Sequence, residues 1–270
     1  MLNAQAVKKF NKWVRDINTG LYRPYLTVRS VNKFGRRHWL WCDKQQREVH
    51  LLSDGERRAY EMMIAHPGTV SVLEQYALDI DETITIAAEL GYVHPRNHQT
   101  NQLTVMTTDF LLRSCNVVDG VNSINTVAYT YKYSSEIYSD TKCSEYLPSA
   151  TRTIQKLKIE QEFWRRRGID YRIITELHAT KERVWNLQFC RSKLKDSVDR
   201  ELAVGFSDTL FRTWCADRYA QLSELLRQSA LQMGITIDDA EQAFYFCVLN
   251  NIVRLKNSHC IQTFRPIELE

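Results

Sequence analysis

Glycine and proline are scarce in this chain, numbering 9 and 5 among 270 residues. So few backbone breakers exclude a collagen-like or low-complexity polypeptide. Long hydrophobic runs are missing too. The longest, Ala243 to Leu249, falls far short of the roughly 20 apolar residues that cross a bilayer as a helix, so no transmembrane helix is expected. The opening residues Met1 to Gln5 lack a charged segment followed by an apolar one, so no secretory signal is read and a cytoplasmic protein is expected. The seven cysteines (Cys42, Cys115, Cys143, Cys190, Cys215, Cys247 and Cys260) are odd in number, scattered and without CxxC spacing. Neither a disulfide framework nor a zinc site fits that pattern. The histidines show no HExxH spacing, and no Gly-rich loop is placed to cradle a nucleotide, which argues against ATPase chemistry in this chain.

What is present is charge of both signs, unevenly distributed. Residues 1 to 50 hold eleven Lys and Arg against three Asp and Glu, while residues 51 to 150 hold six against thirteen. The balance returns to thirteen against seven over residues 151 to 200, and ends at six against nine. A basic, acidic, basic order suits carboxylates that hold a metal between surfaces that hold a polyanion. Two solvated basic faces on a near-neutral protein give the same counts, and both readings stand at this level.

Periodicity divides the chain. Asn3 to Asp16 reads as an amphipathic helix with Val7, Phe10 and Val14 on one face. Short strands are expected around Leu26 to Val31, His38 to Cys42 and Val49 to Leu52. Helices follow at Arg57 to Ala65 and Asp81 to Leu90, with a strand at Thr69 to Tyr76 between them. Met106 to Leu112 and Val127 to Tyr133 are rich in β formers and flank the turn-forming Asp119-Gly120. A long helix from Ser149 to Arg167 stops at Gly168, and a strand is expected from Tyr171 to Thr175. Beyond that the pattern is helical: Arg183 to Cys190, Thr209 to Met233 and Asp238 to Asn250, then two apolar runs, Ile252 to Leu255 and Ile261 to Phe264, read as a wing-like hairpin. These signals predict an α/β domain over residues 1–177 and a mostly helical, winged-helix-like domain over 178–270.

Four polar residues carry candidate chemistry. Asp109 lies in an apolar strand, where a buried carboxylate is costly unless paired, hydrogen-bonded or metal-bound. Strand alternation places Lys132 with Ala128 and Thr130, opposite Val127, Tyr129 and Tyr131. A carboxylate and a lysine on neighbouring strands serve either a metal-assisted phosphodiester site or a plain ion pair. Ser53-Asp54-Gly55-Glu56 reads as a capping box with Glu56 at its third helical position. Glu160 falls beside the apolar stripe of the long helix, either meeting a core polar partner or backing a metal site.

Taken in order, Leu51-Leu52-Ser53-Asp54-Gly55-Glu56, His94-Pro95, Met106 to Leu111, Ala128 to Lys132 and Lys158 to Trp164 resemble the TnsA family, the restriction-endonuclease-like subunits of heteromeric bacterial transposases. The resemblance runs from about residue 25 to 176. It implies a mixed sheet flanked by helices of the PD-(D/E)xK type, and a Mg2+-dependent DNA endonuclease in which Mn2+ substitutes. Glu56 and Asp109 match the metal-binding carboxylates, and Lys132 the catalytic lysine. The wider superfamily has Glu or Gln where this chain has Thr130, so the backbone carbonyl of Tyr131 is the expected further ligand, with Thr130 a weaker one and Glu160 in support. The family cuts near the 5′ ends of its element beside a TnsB-like transposase and a TnsC-like ATPase. The alternative, a catalytically silent adapter bridging transposase, ATPase and DNA, keeps the fold without the chemistry. Phosphate contacts are expected from Lys33, Arg36 and Arg37, and from Arg165, Arg166 and Arg167; for the last three, a solvated helix end explains the run equally well.

Overall fold

A computed structural model describes residues 4–31, 35–97, 99–118, 121–140, 142–195 and 198–270. They form two compact units, residues 1–63 with 68–178, and residues 64–67 with 179–270. No helix among the described residues is long and apolar enough to cross a membrane.

The first unit begins with helix α1 (Ala4–Asn18). Its apolar face sets Phe10, Trp13, Val14 and Ile17 against Tyr25 and Tyr76, and the Trp13 indole donates to the Arg23 carbonyl at 2.7 Å. Strands β1 (His38–Cys42) and β2 (Arg47–Leu51) make an antiparallel ribbon with Trp39 opposite His50. The strand expected at Leu26 to Val31 is absent. The Arg37 guanidinium takes the carbonyls of Val28 and Val31, so that segment turns instead of pairing.

Helix α2 (Asp54–Ala65) leads to β3 (Thr69–Ala77), and α3 (Ile80–Glu89) to the long hairpin of β4 (Thr107–Val118) and β5 (Val121–Tyr131). The expected turn residues Asp119 and Gly120 lie outside the described residues. The short α4 (Ser134–Ile137) and α5 (Thr151–Arg165) precede β6 (Asp170–Ile174). The four-stranded sheet has the order β3-β4-β5-β6, antiparallel except for the parallel β5–β6 pair. It is therefore a mixed sheet, with β5 and β6 joined across α5 as a parallel pair requires.

The sheet is covered by α5 and α3. Ile159, Phe163 and Trp164 of α5, with Ile86 and Ala87 of α3, bury against Leu111 and Ala128. Helix α3 is started by Asp79, whose carboxylate accepts the Glu82 N–H at 2.9 Å. His94, in the His94-Pro95 pair, bonds the Thr83 hydroxyl at 3.1 Å and so ties the loop after α3 back to that helix.

The second unit is helical: α6 (Lys181–Lys193), α7 (Arg200–Ala216), α8 (Leu222–Met233) and α9 (Ile237–Leu249). The single helix expected over Thr209 to Met233 is two. Asp217 breaks it, its side chain accepting the Tyr219 N–H at 3.0 Å in a turn that competes with helix. The wing is also drawn differently. The Leu255 segment pairs with Leu269, with Lys256 N–H donating to Glu268 O at 3.1 Å and Glu270 N–H to Arg254 O at 3.0 Å. Ile261 instead turns inward, its N–H donating to the Asn186 side chain at 2.7 Å, while Phe264 is 62% exposed.

Candidate active site

Three elements converge in the first unit: the start of α2, the start of β4 and the end of β5. Ser53 and Glu56 open α2, with Glu56 N–H donating to Ser53 Oγ at 3.0 Å. Glu56 Oε2 reaches back to the Leu52 N–H at 2.9 Å, one residue beyond the backbone group that a capping box predicts. The carboxylate caps the helix and is also driven inward, with only 9% of the residue exposed.

Gly55 explains how α2 comes so close to the sheet. A Cβ at this position would lie 2.0 Å from Cε1 of the Tyr131 ring, so only glycine admits the aromatic face. The same Tyr131 presents its N–H to Asp109 Oδ2 at 2.8 Å. Its hydroxyl accepts from Arg58 of α2 at 3.2 Å. Alternation along β5 holds: Tyr131 meets α2, while Thr130 meets α5.

One amide ties the two carboxylates together. Gln75 Nε2 lies 3.3 Å from Glu56 Oε2 and 3.3 Å from Asp109 Oδ1. Its other end, Oε1, accepts from the Thr107 hydroxyl at 3.1 Å. Gln75 is 2% exposed and carries a φ of 52° inside β3. Sequence reasoning passed over it, although a Glu74-Gln75 pair set between Leu73 and Tyr76 in a strand is a visible signal.

Lys132 lies just beyond β5, its N–H continuing the pairing to Ile174 O at 3.0 Å. The ammonium donates to the Tyr131 carbonyl at 3.0 Å, the oxygen expected from the family resemblance as a metal ligand. Burial opposes its charge, but Asp109, Glu160 and Glu56 outweigh burial and hold its pKa above the ordinary lysine value. Burial, then the charge of Asp109, pushes Glu56 up to about 8.

Glu160 projects from α5 into a ring of hydroxyls. Its Oε2 accepts from Thr130 at 2.9 Å, Tyr171 at 3.2 Å and Thr108 at 3.3 Å, and Thr108 in turn accepts the Trp164 indole N–H at 2.8 Å. Burial, with Asp109 adding to it, raises Glu160 to about 7. The Thr130 hydroxyl is thus committed to Glu160. Among the described residues no group of three or more His, Cys, Asp or Glu is gathered to hold a metal, so the site offers two close carboxylates and neutral oxygens.

The basic candidates are spread out. Lys33 lies outside the described residues, Arg36 is exposed, and Arg37 is engaged with backbone carbonyls. Arg165 and Arg166 pair with Glu162, Arg166 also with Glu89, and Arg167 with Glu82 at 2.6 Å. The acid partners neutralise much of that run.

Residues 66–176, which include Gln75, Asp109, Thr130, Tyr131, Lys132 and Glu160, match the family described as TnsA-like endonuclease N terminal. Glu56 lies ahead of that stretch. The chain is 28% identical over 186 residues to the Transposon Tn7 transposition protein TnsA of Escherichia coli, covering 69% of this chain and 62% of that relative. The matched segment carries the Asp109 and Lys132 strands in order, so over residues 66–176 the chain is similar to TnsA-like endonucleases, and it spans less than two thirds of the length of that relative.

Proposed function

We propose that this chain is the metal-dependent DNA endonuclease subunit of a heteromeric transposase, hydrolysing phosphodiester bonds near the 5′ ends of a mobile element. The observation that carries the reading is the close trio: the buried Glu56 and the half-buried Asp109 bound to one amide, with the Lys132 ammonium beside them. The reading extends to a restriction-endonuclease-like first domain and a winged-helix-like second one.

A hard divalent cation fits this donor set. Glu56 and Asp109 lie close enough to share one amide, and burial with the charge of Asp109 raises Glu56 to about 8; a cation between them would relieve that repulsion, and their oxygens match what Mg2+ prefers. Glu56, Asp109 and the Tyr131 carbonyl would hold it, and Mn2+ would substitute. When bound, the ion supplies activation of water and charge neutralisation at the phosphate. The chain's own residues do the rest. The Tyr131 N–H fixes Asp109, the Leu52 N–H fixes Glu56 and the hydroxyl ring fixes Glu160, and Asp109 first, then Glu160 and Glu56, favour the charged form of Lys132. The ammonium then stabilises charge developing on the phosphate and orients the attacking oxygen. Thr130 supports this arrangement through Glu160 instead of through the ion.

DNA at the element ends is the substrate, and a TnsB-like transposase and a TnsC-like ATPase are the partners of this reading, the latter contacting residues 178–270. Arg36 with Lys33 is the favoured phosphate contact. The test is cleavage of donor DNA by the reconstituted proteins in Mg2+ and in chelator. Loss of 5′-end cleavage is expected in chelator and in a folded Asp109→Ala variant, the latter with 3′-end cleavage retained. Cleavage at the 5′ ends that survives the substitution would leave the catalytically silent adapter as the account of this chain.

A further inference from the structure

The donor set is sparse. Two carboxylates and a carbonyl are few protein ligands for a hard cation that takes about six oxygens, water included. The position that the wider superfamily would use is Thr130, whose hydroxyl is turned to Glu160 of α5, donating to it at 2.9 Å, and not to the Glu56 and Asp109 pair. No third acidic group is gathered with the pair among the described residues. Gln75, however, already touches both carboxylates.

We propose that Gln75 is a third side-chain ligand of the metal site, turning its amide over to present Oε1 when the ion enters. This rests on the metal-site reading above. The amide nitrogen satisfies two carboxylates only while no cation lies between them; with a cation there, an N–H donor faces positive charge and an oxygen is required. The far end of the amide permits the turn. Thr107 Oγ1 donates to Oε1 at 3.1 Å, and a hydroxyl accepts as readily as it donates, so Nε2 finds the same partner after a half-turn. No proton is transferred and no bond is broken beyond these hydrogen bonds.

The backbone supplies an independent reason to single out this residue. A φ of 52° in the interior of a strand is a strained conformation that non-glycine residues rarely hold. The Gln75 carbonyl, accepting the Tyr25 N–H at 3.1 Å, helps to hold it. Strain of that kind, at a buried polar side chain between two carboxylates, points to a positioned group.

Titration calorimetry of the full chain with Mn2+ tests the proposal, using wild type, Gln75→Leu, Gln75→Glu and Asp109→Ala. Gln75→Leu should weaken Mn2+ binding by about tenfold or more, and Gln75→Glu, with oxygen at both ends, should bind at least as tightly as wild type. Wild-type or tighter binding by Gln75→Leu, with binding lost in Asp109→Ala, would reduce the amide to a placeholder and overturn the proposal while the metal site survives. If Asp109→Ala also binds like wild type, the metal-site reading itself fails. Should Gln75→Leu not fold, Gln75→Glu decides: weaker Mn2+ binding than wild type by the folded protein overturns the proposal.

Discussion

Alanine is normally the better helix residue, and at Gly55 that rule should reverse sign according to what faces it. In α2 a Gly→Ala change gains up to about 1 kcal/mol from reduced chain entropy. Here the new methyl would lie 2.0, 2.3 and 2.7 Å from Cε1, Cζ and Cδ1 of Tyr131. Ordinary contact begins near 3.4 Å, so the ring or the helix must move by more than 1 Å. Overpacking of that kind costs about 1–3 kcal/mol, which exceeds the propensity gain. Gly55→Ala is therefore expected to destabilise the protein by roughly 1–2 kcal/mol, a fall of about 2–8 °C in a domain of this size. In a Tyr131→Ala background the obstacle is gone, and the same substitution should be neutral or stabilising. The assay is a double-mutant cycle by urea denaturation, followed by circular dichroism. An equal effect of Gly55→Ala in both backgrounds would refute the claim that the Tyr131 ring sets the distance between helix and sheet. The cycle also bears on chemistry, because moving Tyr131 displaces the N–H that holds Asp109 at 2.8 Å.

Other outcomes follow from charges held out of water. Glu160 is raised to about 7, so the native state keeps a proton that the unfolded chain loses from about pH 4.5 upward; its contribution to stability is lost as pH rises through 7. The melting temperature of metal-free Glu160→Gln should accordingly gain on wild type between pH 5 and pH 8.5, and a difference that shrinks over that window would contradict the assignment; taking the difference removes the opposing drift of His50 and His94, whose pKa values burial lowers. Arg47 and Glu74 form a bidentate buried pair at 2.9 and 2.6 Å, with the Glu74 side chain fully buried. Arg47→Ala should cost about 3–5 kcal/mol by denaturant titration, and Arg47→Met with Glu74→Leu should recover most of that, whereas a double variant as unstable as the single one would contradict the charge argument. Lys132→Ala should retain Mn2+ binding in calorimetry yet slow single-turnover cleavage by about a hundredfold or more, and loss of metal binding at normal cleavage rate would reverse its role.

Much of this was legible in the sequence, and the reasons differ from place to place. Asp109 and Lys132 stand out because a charge inside an apolar strand demands a partner, and strand alternation alone separates Lys132 from Tyr131. Glu56 was legible as a helix cap; that it also bridges to Asp109 depends on Gln75, whose backbone angle no periodicity encodes. Gly55 was part of the pattern that carried the resemblance, but its reason is a ring 76 residues away in the chain. Local apolar runs misled wherever a single polar side chain decided the outcome. Arg37 captures the carbonyls of the Val28 and Val31 segment, Asp217 cuts one expected helix into α7 and α8, and Asn186 draws Ile261 inward so that Leu269 becomes the pairing partner of Leu255. Each is a side chain to backbone bond, the class of interaction that hydrophobic patterning does not contain.

The central claim is that Glu56, Asp109 and Lys132 cut one particular strand at each end of the element. Strand-specific mapping of breaks on donor DNA, with the transposase and ATPase partners present, addresses it directly. With wild-type chain, breaks are expected on both strands; with folded Asp109→Ala, the 5′-end breaks should vanish while those at the 3′ ends persist. Unchanged 5′-end breaks in the Asp109→Ala reaction would contradict the account.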